Sequence, residues 1–133
     1  MHNLMKSWIE KANNFRKNAL IAKENNLYDI ACFSAQQAVE LVLKGLIVSK
    51  SGSRPFTHSL IELYEILEAL DFESFPEEII NCLRILANHY LQARYPDSRF
   101  TEYTIEEAEK AIDCLDEVFD YVSKLLPENQ DFE

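Results

Sequence analysis

The sequence is poor in the residues on which turn-rich and sheet-rich folds depend. Its 133 residues include two glycines and four prolines, and tight turns between strands use both residue types heavily. Leu, Ala, Glu, Lys and Ile dominate instead, and these are good helix formers or core residues. A chain of this length can bury about two-thirds of its unfolded surface without disulfides or metals. The composition therefore indicates one all-α domain.

Basic residues are also scarce, with 13 Lys and Arg against 23 Asp and Glu and a formal net charge of -10. A general nucleic-acid surface needs clustered Lys and Arg to neutralise phosphates. The charge balance argues against such a surface. It leaves room for a small basic pocket or for a groove between two subunits.

Metal and common catalytic motifs are missing as well. Cys32, Cys82 and Cys114 are far apart, and a metal site would need paired Cys or His at short spacing. The sequence has no glycine-rich phosphate loop, no GxSxG turn and no HExxH motif. We expect three buried, reduced thiols and no metal. With no apolar N-terminal segment and no apolar run long enough for a bilayer, we also expect a cytoplasmic protein without a membrane role.

The stretch 29–50, DIACFSAQQAVELVLKGLIVSK, is the element that the sequence places at the centre of the fold. Its apolar residues recur at helical spacing, and a row of small residues would let a neighbouring helix approach closely: Ala31, Ser34, Ala35, Ala38 and Gly45. The remaining face carries Gln36, Gln37, Glu40 and Lys44. Glu40 and Lys44 are four residues apart, in the favoured order for an ion pair on a helix.

The same periodicity predicts five helices and no strands, at about 4–23, 28–50, 59–70, 76–92 and 104–125. Asn25 and Asn26 should end the first helix, and capping boxes should begin the third at Ser59 and the fifth at Thr104. The bundle domain is predicted over 1–126, followed by an acidic, disordered tail at 127–133. The predicted core includes Phe33, Leu41, Leu83, Leu86, Leu115 and Phe119.

The loop after the fourth helix concentrates side chains suited to a nucleotide. Arg94, Tyr95, Asp97, Arg99 and Tyr103 bring two guanidiniums and two phenols into ten residues. Arginine binds phosphate through two nitrogens, and tyrosine offers a stacking face. In the alternative interpretation, an ion pair between Arg94 and Asp97 ties down the loop and Tyr95 plugs the core.

Two histidines are further candidates. His58 lies just before a capping serine and could orient a phosphate, or it could simply help to close the loop. His89 lies five residues after Arg84 and could act as a general base near neutral pH. As a single histidine beside an apolar stripe, it could equally be a half-buried structural residue.

Three segments of the sequence stand out by their order and spacing: SAQQAVELVLKGLI at 34–47, THSLIEL at 57–63 and YLQARYPD at 90–97. Together they resemble the HEPN domain (higher eukaryotes and prokaryotes nucleotide-binding). The resemblance implies an up-and-down antiparallel bundle of four long helices plus one short helix, assembled as a homodimer. It also implies a minimal nucleotidyltransferase as partner in a toxin–antitoxin pair, and no cofactor other than a bound nucleotide.

The resemblance allows more than one function. As a nucleotide- or RNA-associated binding module, the chain would use Arg94, Tyr95, Asp97 and Arg99 with His58, lined from the second helix by Gln37, Glu40 and Lys44. As a metal-independent ribonuclease, it would use Arg84 and His89, which have the family's R-x4-6-H spacing, at the dimer interface. Ile85 stands where that motif usually has a polar residue. A structural helical adaptor would need neither set.

Overall fold

The fold is a helical bundle, with six helical segments and no strand among the residues described. A computed structural model of the protein describes residues 2–126, with side chains from residue 5 onward. The segments are α1 (His2–Glu24), α2 (Tyr28–Ser51), α3 (Leu60–Ala69), α4 (Glu77–Ala87), α5 (His89–Gln92) and α6 (Ile105–Ser123). The all-α prediction is confirmed. The predicted disordered tail, 127–133, lies outside the described residues.

Helix α2 is the centre of the bundle and packs against each of the other five segments. Among the described helices, α2 is the one that is long and apolar enough to cross a membrane, judged by length and composition. From the sequence we expected no apolar run of that length. However, 78% of its most apolar window is buried inside the fold. A helix that other elements cover over most of its surface is largely apolar because it lies in the core.

Helix α1 packs against α2 through the small residues that the sequence pattern singled out. Ala31, Ala35, Ala38 and Gly45 of α2 are buried. A Cβ atom added at Gly45 would lie 2.9 Å from the Cβ of Trp8, so glycine is what allows the two backbones to approach here. Asn18 of α1 donates a hydrogen bond to the Ser34 hydroxyl at 2.8 Å.

The helix ends follow the local signals in the sequence. Asn26 has φ 63°, in the left-handed region that ends α1, and Gly52 has φ 78° at the end of α2. Thr104 and Glu107 form a complete capping box at the start of α6. At α3 the Ser59 hydroxyl accepts from the Glu62 backbone N–H, while the Glu62 side chain is hydrogen-bonded to Thr57 instead.

The fourth predicted helix is interrupted, where the sequence pattern predicted one run to Gln92. Helix α4 ends at Ala87, and α5 begins at His89, with Asn88 in the turn between them. Asparagine is a poor residue for a helix interior because its amide competes for backbone groups. The separate short helix buries His89 and brings Tyr90 against His58.

The prediction of three reduced thiols was wrong for two of them. Cys82 of α4 and Cys114 of α6 form a disulfide, with Cα atoms 5.1 Å apart, within the range such bonds require. The apolar faces of the two helices meet in the core, so residues 32 positions apart in sequence become neighbours. Cys32 is free and buried as expected, and burial raises the pKa of its thiol to about 12.

Most of the predicted core is buried. Leu83, Leu86, Leu115 and Phe119 are enclosed. Phe33 and Leu41 are only partly buried. Phe33 lies beneath the guanidinium of Arg94 rather than in the interior.

Replacing Leu83 or Leu115 by alanine should lower the free energy of unfolding by about 2–5 kcal/mol, because each leaves a cavity in a fully enclosed site. Urea unfolding followed by circular dichroism measures the effect. Ile21→Ala, at an exposed position, is the control and should change the free energy by less than about 0.5 kcal/mol. Core variants as stable as the control would contradict the packing described here.

Candidate functional site

The polar residues of α2 form a buried network rather than a solvent-facing strip. Gln36, Glu40 and Lys44 are all enclosed. The Lys44 ammonium donates to Glu40 Oε2 at 3.0 Å, which confirms the predicted ion pair. Glu40 Oε1 accepts from Gln36 at 3.0 Å and from Gln37 at 3.3 Å. The carboxylate is thus surrounded by donors, which a buried charge requires.

His58 connects this network to the surface. Its Nδ1 lies 3.0 Å from Glu40 Oε2, and its side chain is half exposed. The imidazole stacks on the Tyr90 ring, with centroids 4.5 Å apart and an angle of 16° between the planes. The loop before α3 is therefore joined to α5 through one histidine anchored on α2.

Arg94 contacts the same tyrosine, Tyr90, on which His58 stacks. Its Nε donates to the Tyr90 carbonyl at 2.8 Å, and its guanidinium lies 4.2 Å from the Tyr90 ring centroid, 4.9 Å from that of Tyr95 and 5.6 Å from that of Phe33. The terminal nitrogens make no hydrogen bond or ion pair within residues 2–126. Three rings thus hold a guanidinium whose two donor nitrogens remain available.

A cleft of about 460 Å³ opens beside Arg94. It is lined by aromatic rings, two arginines, two acids and two side-chain amides: Tyr28, Tyr95, Phe100, Tyr103, Arg94, Arg99, Asp29, Glu102, Asn26 and Gln92. We call it the arginine cleft. A ligand in this cleft would contact a cation, aromatic ring faces, hydrogen-bond donors and hydrogen-bond acceptors.

The alternative structural interpretation of this loop is wrong in two respects. Tyr95 does not plug the core, because 48% of its surface is exposed. Arg94 does not pair with Asp97: the guanidinium bonds to the Tyr90 carbonyl, and Asp97 is exposed with no ion pair among the residues described. Ser98 closes the loop instead, donating its hydroxyl to carbonyls that include that of Tyr95 at 2.6 Å.

Arg99 lines the arginine cleft, but its guanidinium is already engaged. It bonds to both carboxylate oxygens of Glu107, at 2.8 and 3.0 Å, and lies 4.0 Å from the Tyr103 ring centroid. The hydrogen bond from Arg99 holds the pKa of the Glu107 carboxyl below its usual range. Arg99 therefore fixes the loop to the start of α6, and Arg94 is the guanidinium left for a ligand.

Arg84 and His89 do not converge within the chain. Arg84 is exposed and pairs with Glu77 at 3.0 Å. His89 is buried, and its Nδ1 lies 2.8 Å from the Tyr103 hydroxyl. Burial lowers the pKa of His89 from 6.5 to about 4, with Glu107 opposing this shift and Arg99 adding to it.

The structure brings some of the predicted site residues together and separates others. Arg94, Tyr95 and Arg99 share the arginine cleft, and Asp97 does not line it. Gln37, Glu40 and Lys44 do not line it either, and they form the network that contacts His58. Tyr90, Phe33 and Phe100 were missed. The spacing of Tyr90 four residues before Arg94, one helical turn, is a signal that could have identified the first of these.

Similar proteins agree with this fold. The HEPN domain profile matches residues 5–125 of the chain. The crystal structure of TT1696 from Thermus thermophilus is similar at 30% identity and TM-score 0.79, covering 92% of this chain and 98% of that one. ST0689, described as an archaeal HEPN homologue, is similar at 27% identity and TM-score 0.72, covering 91% and 96%. No curated protein matches significantly.

These findings define the class and then the family. The class is an all-helical bundle with a central apolar helix that carries a buried polar network. With the profile matching nearly the whole chain, the protein belongs to the HEPN domain family.

The Glu40–Lys44 pair should show strong coupling in a double-mutant cycle. Glu40→Leu and Lys44→Met should each lower the free energy of unfolding by about 3–5 kcal/mol, because each leaves a buried charge without its partner. The double variant should lose less than the sum by about 2 kcal/mol or more. Urea unfolding measures all four proteins, and additive losses would contradict the pairing.

His89 should make the protein acid-sensitive. Its folded pKa of about 4 is below its ordinary 6.5, so the unfolded chain binds the extra proton between these values. Stability should therefore fall as pH drops from about 6.5 toward 4, by up to about 3 kcal/mol from this residue. Urea unfolding at several pH values measures the slope. His89→Gln, which cannot titrate, should have a shallower slope, and an unchanged slope would refute the assignment.

Proposed function

We propose that this HEPN-family protein is a nucleotide-binding and partner-binding module whose ligand occupies the arginine cleft. The observation that carries the proposal is the Arg94 guanidinium, held by aromatic rings and by the Tyr90 carbonyl with its terminal nitrogens unpaired among the described residues. A guanidinium held in this way loses little further freedom when it binds phosphate.

The lining of the arginine cleft suits the other parts of a nucleotide. Tyr95 and Phe100 expose ring faces on which a base can stack. Asp29 and Glu102 offer acceptors for exocyclic amino groups, and Gln92 can both donate and accept. In this proposal Arg94 binds the phosphate, while Arg99 holds the loop in place through Glu107.

The partner that we propose is a minimal nucleotidyltransferase, with the two proteins acting as a toxin–antitoxin pair. Membership of the HEPN family supports this, given the resemblance of 34–47 and 90–97 to members encoded beside such enzymes. The exposed phenol of Tyr95 could be reached by a modifying partner. We further propose a homodimer in the cytoplasm, with RNA as an alternative ligand to a free nucleotide.

Ribonuclease activity through Arg84 and His89 is less well supported. The R-x4-H spacing favours it, but Arg84 is committed to Glu77 and His89 is buried against Tyr103. A histidine with a pKa of about 4 is a weak base at neutral pH. Both residues would have to leave these partners to meet across a dimer interface. A purely structural adaptor would not need the unpaired guanidinium of Arg94.

Replacing Arg94 by alanine should weaken nucleotide binding at least about tenfold, since a charge-assisted hydrogen bond to phosphate contributes roughly 1.5–3 kcal/mol. Isothermal titration with AMP measures the effect. Lys110→Ala removes one positive charge from an exposed part of α6 and is the matched control. It should bind AMP as the wild type does.

Two outcomes would contradict the proposal. Equal binding of AMP by all three proteins, or no binding by any, would remove the arginine cleft as its site. Cleavage of RNA in excess EDTA that disappears in His89→Ala, but persists in Arg94→Ala, would instead establish the ribonuclease alternative.

A further inference from the structure

The Glu40–His58 contact fixes which nitrogen of His58 faces outward. The Glu40 carboxylate takes donors on both oxygens, and an ionised carboxylate can only accept. The Nδ1 of His58, 3.0 Å away, must therefore carry a proton. Nε2 is left as an acceptor when the ring is neutral and as a donor when it is protonated.

Glu40 does not depend on His58 for neutralisation. Lys44 already supplies a full positive charge 3.0 Å from the same oxygen. A second proton on His58 would therefore give the three residues a net charge of +1. That charge would lie at the half-exposed imidazole, because Glu40 and Lys44 are buried.

His58 lines a second cleft, of about 450 Å³, which we call the histidine cleft. Its other lining residues carry hydroxyl, amide and apolar groups: Ser59, Ala87, Asn88, Tyr90, Leu91, Gln92 and Ser98. None of the described lining residues is acidic. The side-chain amides of Asn88 and Gln92 make no hydrogen bond to other described residues, so they remain available to a ligand.

The two clefts are adjacent. Gln92 lines both, and Tyr90 separates His58 on the histidine side from Arg94 on the arginine side. Two groups that can carry positive charge thus flank one aromatic ring. An extended ligand with more than one nucleotide could cross Gln92 and meet both.

We propose that the histidine cleft is a phosphodiester subsite, in which protonated His58 donates from Nε2 to a phosphate oxygen of a ligand that also occupies the arginine cleft. The proposal rests on the proposed function and specifies its ligand as a di- or oligonucleotide. Glu40 is a positioning residue: it orients the ring and touches no ligand.

The charged and titratable groups that face His58 come from each element packed against it. Helix α2 contributes Glu40 directly and Lys44 through it. Helix α5 contributes Tyr90, and Arg94, which follows α5, contacts the same ring. Glu62 of α3 is directed to Thr57. A phosphodiester, which does not titrate near neutral pH, should therefore draw its pH dependence from His58.

The experiment compares the dinucleotide pApA, whose 5′-phosphate is available to Arg94 and whose phosphodiester is available to His58, with the analogue in which that linkage is an uncharged methylphosphonate. Wild-type protein should prefer pApA, and that preference should be about fivefold greater at about pH 6 than at about pH 8. Both ligands carry the same 5′-phosphate, so its own titration cancels in the comparison. His58→Asn is the matched variant, because its amide can still donate to Glu40 but cannot bind the second proton. It should melt like the wild type and show the same preference at both pH values.

The outcomes separate the two proposals. Arg94-dependent binding of pApA, with a preference over the analogue that is unchanged by pH or by His58→Asn, would overturn the subsite and leave the arginine cleft standing. Absence of any dinucleotide binding in any of the proteins would overturn both. A His58-dependent preference in which Arg94→Ala has no effect would overturn the shared ligand, because the histidine cleft would then act independently.

Discussion

The buried carboxylate of Glu40 is the constraint on which the rest of the candidate site depends. Removing such a charge from water costs several kcal/mol, and the chain offsets that cost with four side-chain contacts, from Lys44, Gln36, Gln37 and His58. Three of these come from α2 itself. The fourth comes from a residue 18 positions away, so this contact joins the loop before α3 to the core helix.

A series of stacking and hydrogen-bonding contacts connects Glu40 to the surface. His58 is held by Glu40 and presents one face to Tyr90. Tyr90 in turn supports Arg94 through its ring and through its carbonyl. Flexible arginine side chains normally lose substantial entropy on binding. Here the aromatic contacts restrict Arg94 in advance, so a chain of net charge -10 still presents a positioned, exposed guanidinium.

The sequence predicted local structure well, but it did not predict the contacts that form when helices pack together. Periodicity found the helices, and Asn26 and Thr104 marked ends that depend on their own backbone and side chains. The disulfide was missed because Cys82 and Cys114 meet only when α4 packs on α6. Burial of Gln36, Glu40 and Lys44 could not be read from the sequence for a similar reason: a helical pattern does not show which of its polar residues other elements cover. Here His58, in the loop before α3, contacts Glu40.

The two histidines show how packing divides residues of one type into different chemical roles. His89 follows the break at Asn88, which turns it into the interior, where burial favours the neutral ring and Tyr103 occupies Nδ1. His58 keeps half its surface in water and has a carboxylate on Nδ1, and its Nε2 makes no hydrogen bond to the described residues. Spacing in the sequence favours His89, since only it lies at a motif distance from an arginine. Solvent access and hydrogen bonding favour His58, and these decide which imidazole can donate a hydrogen bond to a bound ligand.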